Sequence, residues 1–433
     1  MFDSILAWRL RTPFYYGWLV LVITATSTFA ATGASQVVLG GIQVYITEDT
    51  GWSSNTISFA ASVGTWCSGL LAPFIGRLAD RYGPRWLVPF GLVFTGACFF
   101  FISGFESVWQ FYVGYIVARA LTNEILIGLV PRTSAVNFFR RRRNMALATV
   151  STFRPIASAI NIQIISLIAV HQGWRIAYRY LGILSLVLVV PVVLFMRRRP
   201  EDIGLLPDGA PQEVATSGSG VREPDQEASW TAGQAVKTRT FWLIVVTASL
   251  GTMATSSIGF SLVPYLVEGA GLTKGAAAGM LSLGTFLSIT NLGWGYLADV
   301  FTPRRCLMLT LVGSAGMIAY LITVDSLAGA LGFAVAWGVF SGAVGSLEYM
   351  VLAQYYGRGS YGSILGVSAP FQTVALGLGP ALTSTVRAAT GDYTTLYVVM
   401  IAAYSCAVVL IILARPPVRP VDADDLASLV RGD

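Results

Sequence analysis

The chain has 433 residues, 55% of them apolar and only 12% charged, with a positive mean hydropathy. That composition excludes a soluble globule and points to an integral membrane protein. The net charge of +6 is almost wholly arginine, since Lys237 and Lys274 are the only lysines among 28 basic residues. These charges sit in short segments between apolar runs, where they orient a membrane protein in its bilayer, so no nucleic-acid partner is expected.

A membrane span needs about 20 mostly apolar residues. Twelve such runs occur, near 15–38, 53–76, 86–104, 108–136, 144–168, 175–196, 241–266, 275–298, 305–323, 327–354, 362–386 and 393–414. Arg9 and Arg11 precede the first run without a short apolar core and cleavage site, so this run is expected to be retained. Between the sixth and seventh runs lies a polar stretch with Pro200, Pro207, Gly209, Pro211 and Ser217 to Gly220, too poor in apolar surface to fold alone. The expected organisation is an all-α membrane protein of twelve transmembrane helices: a six-helix half over 1–196, a cytoplasmic linker over 197–239, and a second half over 240–433 that ends in a short cytoplasmic tail.

Placing the N-terminus inside collects Arg9, Arg11, Arg77, Arg81, Arg85, Arg132, Arg140 to Arg143, Arg197 to Arg199, Lys237, Arg239, Arg304, Arg305, Arg358, Arg415 and Arg419 on the cytoplasmic side. Both termini are therefore expected in the cytoplasm, with the protein in the inner membrane of a bacterial-type cell. Cys67, Cys98, Cys306 and Cys406 all fall inside apolar runs and read as small buried hydrophobes.

Gly76-Arg77-Leu78-Ala79-Asp80-Arg81-Tyr82-Gly83-Pro84-Arg85 packs one acid and three arginines between two apolar runs, so it must turn at a membrane face. Gly295-Tyr296-Leu297-Ala298-Asp299-Val300-Phe301-Thr302-Pro303-Arg304-Arg305 repeats it in the second half. Phe138-Phe139 and Val150-Ser151 likewise match Tyr355-Tyr356 and Val367-Ser368. The chain is a duplication, and two similar six-helix halves form a transporter architecture with its site between them near the midplane. An acid at the end of a helix that pairs with arginine or a neighbouring helix terminus in only one state makes a conformational switch, the role expected of Gly76, Asp80, Arg81, Gly83, Arg85, Gly295, Asp299 and Arg304.

The segment from Gly76 to Arg85 resembles the G-x-x-x-D-R-x-G-R-R loop of the major facilitator superfamily, with Pro84 replacing one arginine. Within it, Thr50-Gly51-Trp52-Ser53, Asn137 to Ala146, Gly173-Trp174-Arg175 and Arg199-Pro200-Glu201-Asp202-Ile203-Gly204-Leu205-Leu206-Pro207-Asp208-Gly209 resemble the monocarboxylate transporter and oxalate/formate antiporter branch. That resemblance implies secondary transport of a small organic anion by proton symport or anion exchange, with no cofactor and a monomer as the working unit. The branch's charged residues are not matched: Gly40 stands where animal carriers have a lysine, Leu287 and Asn291 stand where they have an Asp and Arg pair, and the eleventh run has no basic residue before Arg387.

What the membrane segments offer instead is Arg119 and Arg154. A guanidinium at mid-depth costs roughly 2.5 to 3.5 kcal/mol to insert, so it should face a cavity or a partner. The two are expected to converge on one carboxylate, which the planar fork of arginine grips by paired hydrogen bonds. The plainer reading of Arg119 is an ion pair with Glu124, although five residues turn about 140 degrees on an ideal helix. Asn123 shares the face of Arg119. By the offset of the repeat, Phe371 stands at the place of Arg154 with Gln372 beside it. Asn161 and Asn291 complete the polar contacts, and Trp66 and Trp337 are candidate cavity walls that would favour an aromatic carboxylate. Glu124 and Glu348 are the buried acids that could carry a coupling proton; the plainer reading of Glu348 is a salt bridge to Arg304. There is no phosphate-binding loop for ATP, a single histidine (His171), no metal-ligand cluster and no hydrolytic triad, so an enzyme is not expected. The rivals are a proton-coupled drug or toxic-compound exporter of the same fold and a receptor that binds without transport.

Overall fold

In the computed structural model, residues 13–209 and 230–417 are described; Arg9, Arg11, Arg419 and the middle of the expected linker lie outside them. Twelve long helices cross in alternate directions. They are α1 (Tyr16–Ala31, resumed at Gln36–Thr50 after a tight turn at Thr32–Ala34), α2 (Ser54–Tyr82), α3 (Pro84–Ser103), α4 (Val108–Thr122, resumed at Leu129–Phe138 after a widened π turn at Asn123–Ile127), α5 (Arg143–Gln172) and α6 (Trp174–Phe195). The second half comprises α7 (Arg239–Glu268), α8 (Lys274–Phe286, resumed at Asn291–Val300), α9 (Pro303–Leu321), α10 (Leu327–Tyr356), α11 (Tyr361–Thr390) and α12 (Thr394–Leu413). Eleven of these spans are long and apolar enough to cross a bilayer by composition. The exception is α9, whose first turn carries Arg304 and Arg305.

Local chemistry sets the helix ends. Ser53 caps α2 by accepting from the Thr56 amide at 3.2 Å, and Thr302 caps α9 by accepting from Arg305 at 3.3 Å with Pro303 in the first helical position. The turn between α2 and α3 needs Gly83 at φ 76°, where a side chain would be strained and would also meet Arg198.

The halves meet along two seams on the face that carries the arginine-rich loops: α2 against α11, and α5 against the second part of α8. One apolar core runs through both halves there, joining Ile75 and Ala79 of α2 to Ile364 and Leu365 of α11. A second cluster, including Ile42, Phe99, Tyr115, Ile165 and Leu181, belongs to the first half alone. The molecule is therefore shut on the arginine-rich face. The α2/α11 seam extends from there to mid-depth, where Trp66 abuts Gly377.

Both ends of the expected linker pack on the bundle. Pro200 and Ile203 are buried, and Trp230 lies edge-on to Tyr356 of the second half at 5.6 Å.

Candidate anion site at the centre of the bundle

Each half repeats one device on the closed face. The Asp80 carboxylate accepts from the Gly362 and Ser363 amides, at 3.0 and 2.7 Å, at the start of α11. Asp299 accepts from the Met145 amide at 3.2 Å, at the start of α5. An acid set on a helix N-terminus is favoured by the orphan amides and by the helix dipole. The partner of Asp80 is thus the opposite half's backbone and not Arg81, which lies over Tyr82, or Arg85, which lies over Trp86. Arg304 donates instead to the Ile411 and Ile412 carbonyls at the end of α12. Gly76 and Gly295 let the seams close: a Cβ on Gly76 would strike the Gly362 carbonyl, and one on Gly295 the Ala148 methyl.

These contacts fix the true register of the duplication. The helices α5 and α11 both span 30 residues, and Arg143 to Tyr361 and Gln172 to Thr390 give the same offset, 218. The sequence match of Phe138-Phe139 to Tyr355-Tyr356 is therefore one residue out. Gln372, not Phe371, stands at the place of Arg154. Phe371 is 44% exposed on a stripe with Val374 and Leu378, and packs edge-on to Trp242. It is not an aromatic wall of the site.

Arg119 lies at mid-depth on α4 against Gly64 of α2, 3% exposed, with Nε and Nη1 buried and without hydrogen-bond partners. It does not pair with Glu124, whose Oε1 accepts from Ser68 Oγ and Asn123 Nδ2, both at 2.9 Å. Asn123 also donates to Ser68 at 2.9 Å, so the π turn serves to anchor α4 to α2. Arg154 is exposed, yet lies within electrostatic range of Arg119, Arg132, Tyr349 and Glu124, all inside the bundle. Pro155 follows it and lacks the amide that would bond the Ser151 carbonyl, which leaves a backbone acceptor open one turn away.

Arg132 was expected on the cytoplasmic side, at the end of the fourth run, and without a part in the site. It lies within α4, and its guanidinium stacks over the Tyr349 ring of α10 at 4.0 Å with its Nε buried without a partner. The cue was an apolar run that continues beyond it to Phe138; its partner, on the other half, has no local signal. Tyr349 Oη donates to Gln372 Oε1 at 3.1 Å, and Gln372 Nε2 donates to Glu348 Oε1 at 2.8 Å. Glu348, 1% exposed, therefore belongs to this cluster and has no salt bridge to Arg304.

The remaining candidates lie apart. Asn161 is fully buried and donates to the Phe29 carbonyl and Thr32 Oγ1, bracing the break in α1. Asn291 accepts from Ser346 where α8 resumes. Trp337, 6% exposed, stacks on Phe333 in the core of the second half, and Trp66 lies at the α2/α11 seam, so neither argues for an aromatic cargo. Cys406 is exposed, unlike the buried hydrophobe expected of it, and Arg143 is buried and donates to the Ala353 carbonyl of α10 at 3.0 Å.

The model of the Major Facilitator Superfamily matches residues 24–380. The chain belongs to that family. Its members are membrane transporters, not enzymes. Among similar proteins are the "MFS transporter asaE" of Aspergillus flavus, 26% identical over 79% of this chain and 73% of that one, and the "Oxalate:formate antiporter" of Oxalobacter formigenes, 22% identical over 71% of each. The crystal structure of the transporter FucP in the outward conformation covers 93% of this chain and 100% of its own, at TM-score 0.69 and 13% identity, a likeness of fold.

Proposed function

We propose that this superfamily transporter carries a small organic anion, a monocarboxylate, by alternating access. One observation carries the reading: Arg119, Arg132 and Arg154 face two carboxylates, Glu124 and Glu348, at the centre of the bundle, and among the described residues neither carboxylate is ion-paired to any of them. With both acids ionised one positive charge is left over, and with one of them protonated two, so the cluster favours an anion in either state. Partnerless buried guanidinium nitrogens are costly unless a ligand satisfies them. Arg154, the exposed one of the three, is the entry contact; Arg119 and Arg132, both on α4, complete the grip.

The branch resemblance and the similarity to an oxalate and formate antiporter support the same class of cargo. The coupling is proton symport or anion exchange. A carboxylate's hold on its proton changes when a neighbouring cation gains or loses an anion. Glu348, with its one hydrogen bond from Gln372 and Arg132 within range, is better placed for that role than Glu124, which accepts two. The arginine-rich face is assigned to the cytoplasm of a bacterial-type inner membrane.

The test is uptake of radiolabelled monocarboxylates into proteoliposomes, with and without a pH gradient, against a competition panel. Saturable uptake that is lost in Arg154→Ala and Arg119→Gln supports the reading. Transport of cationic or neutral drugs with no competition by carboxylates would replace it with the exporter, and binding without flux would replace it with the receptor. In Glu348→Gln, pH-driven uptake should vanish while exchange across the membrane persists; Glu124→Gln is the companion variant.

A further inference from the structure

The segment after α6, Arg199 to Gly209, is marked in the sequence but has no part in holding a cargo. Its contacts are specific. Pro200 and Ile203 are buried and Leu205 packs on the core shared by the halves, and Asp208 ties the segment to the first half. Asp208, in a left-handed conformation at φ 59°, directs its carboxylate onto three successive backbone amides, those of Arg140 at 2.9 Å, Arg141 at 2.6 Å and Arg142 at 3.5 Å. Consecutive amides of this kind form a concave anion receptor, here filled by the chain's own carboxylate. The α4–α5 loop is thereby held in one shape.

From this seated segment the Glu201 side chain reaches the other half. Glu201 Oε1 pairs with Arg358 Nη2 at 2.7 Å, and Arg358 Nη1 also donates to the Asn137 carbonyl, at the end of α4, at 3.3 Å. Arg358 lies in the α10–α11 loop, so it is gripped by two parts of the first half just outside the point where Asp80 meets α11. Arg198 completes the junction by donating to the Asp80 carbonyl at 2.7 Å.

We propose that Arg199 to Gly209 is a latch. Asp208 in its amide nest sets the segment rigidly, and Glu201 uses that footing to hold Arg358 and keep the arginine-rich face shut. Opening that face moves Arg358 with the second half, away from Asn137 and Glu201, so the strength of the latch sets how often the transporter opens there. The polar stretch after α6 is thus part of the gate and not only a tether. This goes beyond the assignment of the cargo and does not depend on it.

Spin labels at Tyr82 and Phe301, both exposed, one on each half and both on the arginine-rich face, in a background without native cysteines, read the opening as a distance distribution in full-length protein. Glu201→Gln and Asp208→Ala should each raise the open fraction roughly threefold or more, as expected when a charge-assisted bond in partly solvated surroundings is lost. The double variant should add little, because both act on one grip. Arg358→Lys, which keeps the charge, should open less than Arg358→Gln. An unchanged distribution in both single variants overturns the latch. So does a lowered melting temperature without a shift in distance, which would make the segment a brace of the first half alone.

Discussion

The two halves keep the same seam and differ in the site. Asp80 on the start of α11 and Asp299 on the start of α5 are one device used twice, with a close-packed glycine one turn earlier in each. At the centre the copies part: where the first half has Arg154, the second has Gln372, and Arg119 and Arg132 both come from α4, while α10 supplies Glu348 and Tyr349. A rocking motion needs matched hinges, so the contacts that close the face stay alike. A cargo site between two halves needs only one set of guanidiniums, so the second copy supplies Glu348, Tyr349 and Gln372 in their place.

The largest effect should come from removing the difference. Arg154→Ala takes away the solvent-facing cation and should lower uptake by roughly 10- to 100-fold, the weight of a paired charge-assisted contact. The comparison sharpens with Gln372→Arg, which makes the halves alike. It places a fourth guanidinium beside Glu348, and should slow release of a monoanion while improving competition by dianions. Radiolabel uptake and competition in proteoliposomes read both.

Next come the glycines of the seams, where the halves are alike but not equal. Gly76→Ala drives a methyl into the Gly362 backbone carbonyl, which no substitution can move aside. Gly295→Ala meets chiefly the Ala148 methyl, which can be removed. Both should weaken the closed face by about 1 to 3 kcal/mol, the usual cost of overpacking. Ala148→Gly should recover most of the loss in Gly295→Ala, and no change at Gly362 should rescue Gly76→Ala. Thermal melting in detergent decides between them.

A smaller difference separates the two acids. Asp80 bonds the Gly362 and Ser363 amides at 3.0 and 2.7 Å, and Asp299 bonds the Met145 amide at the longer 3.2 Å as well as Asn144, so Asp80→Asn should cost slightly more than Asp299→Asn, each on the order of 1 to 2 kcal/mol. Measured as accessibility of the arginine-rich face to a thiol reagent, equal effects would mean that the seams, not the acids, carry the closure.

These pairs also show what the sequence could tell. Twelve spans, the duplication and the acid-turn motif were legible because apolar length and repeated Gly, Asp and Pro leave a local trace. The register between the copies was not, because Phe138-Phe139 and Tyr355-Tyr356 look equivalent, and only the helix starts that bind Asp80 and Asp299 separate them by one residue. Arg119 and Arg154 stood out as charges in apolar runs. Arg132 did not, because it lies near a run's end and its partner Tyr349 is 217 residues away. The π turn at Asn123–Ile127 was hidden as well, since it exists to bring Glu124 to Ser68 on another helix.

The smallest predicted effect lies on the far face, at matched acids with unlike partners. Asp49, ending α1, accepts from Trp174 Nε1 at 3.0 Å and pairs with Arg175, both at the start of α6; Glu268, ending α7, pairs instead with Arg387 of α11 at 2.7 Å. The bonds from Trp174 and Arg175 hold the Asp49 carboxyl below its ordinary value. A carboxyl depressed in the folded state stabilises the fold above its unfolded value, near pH 4, and that contribution is lost as pH falls through the lower, folded value. Asp49 is half exposed, so screening leaves less than about 1 kcal/mol. Asp49→Asn should therefore melt slightly lower than the parent at pH 7, and the gap should close below pH 4. Glu268→Gln should loosen α7 from α11 and leave the α1–α6 junction, followed by hydrogen exchange, unchanged. A gap for Asp49→Asn that persists at low pH would assign its effect to the Trp174 hydrogen bond rather than to charge.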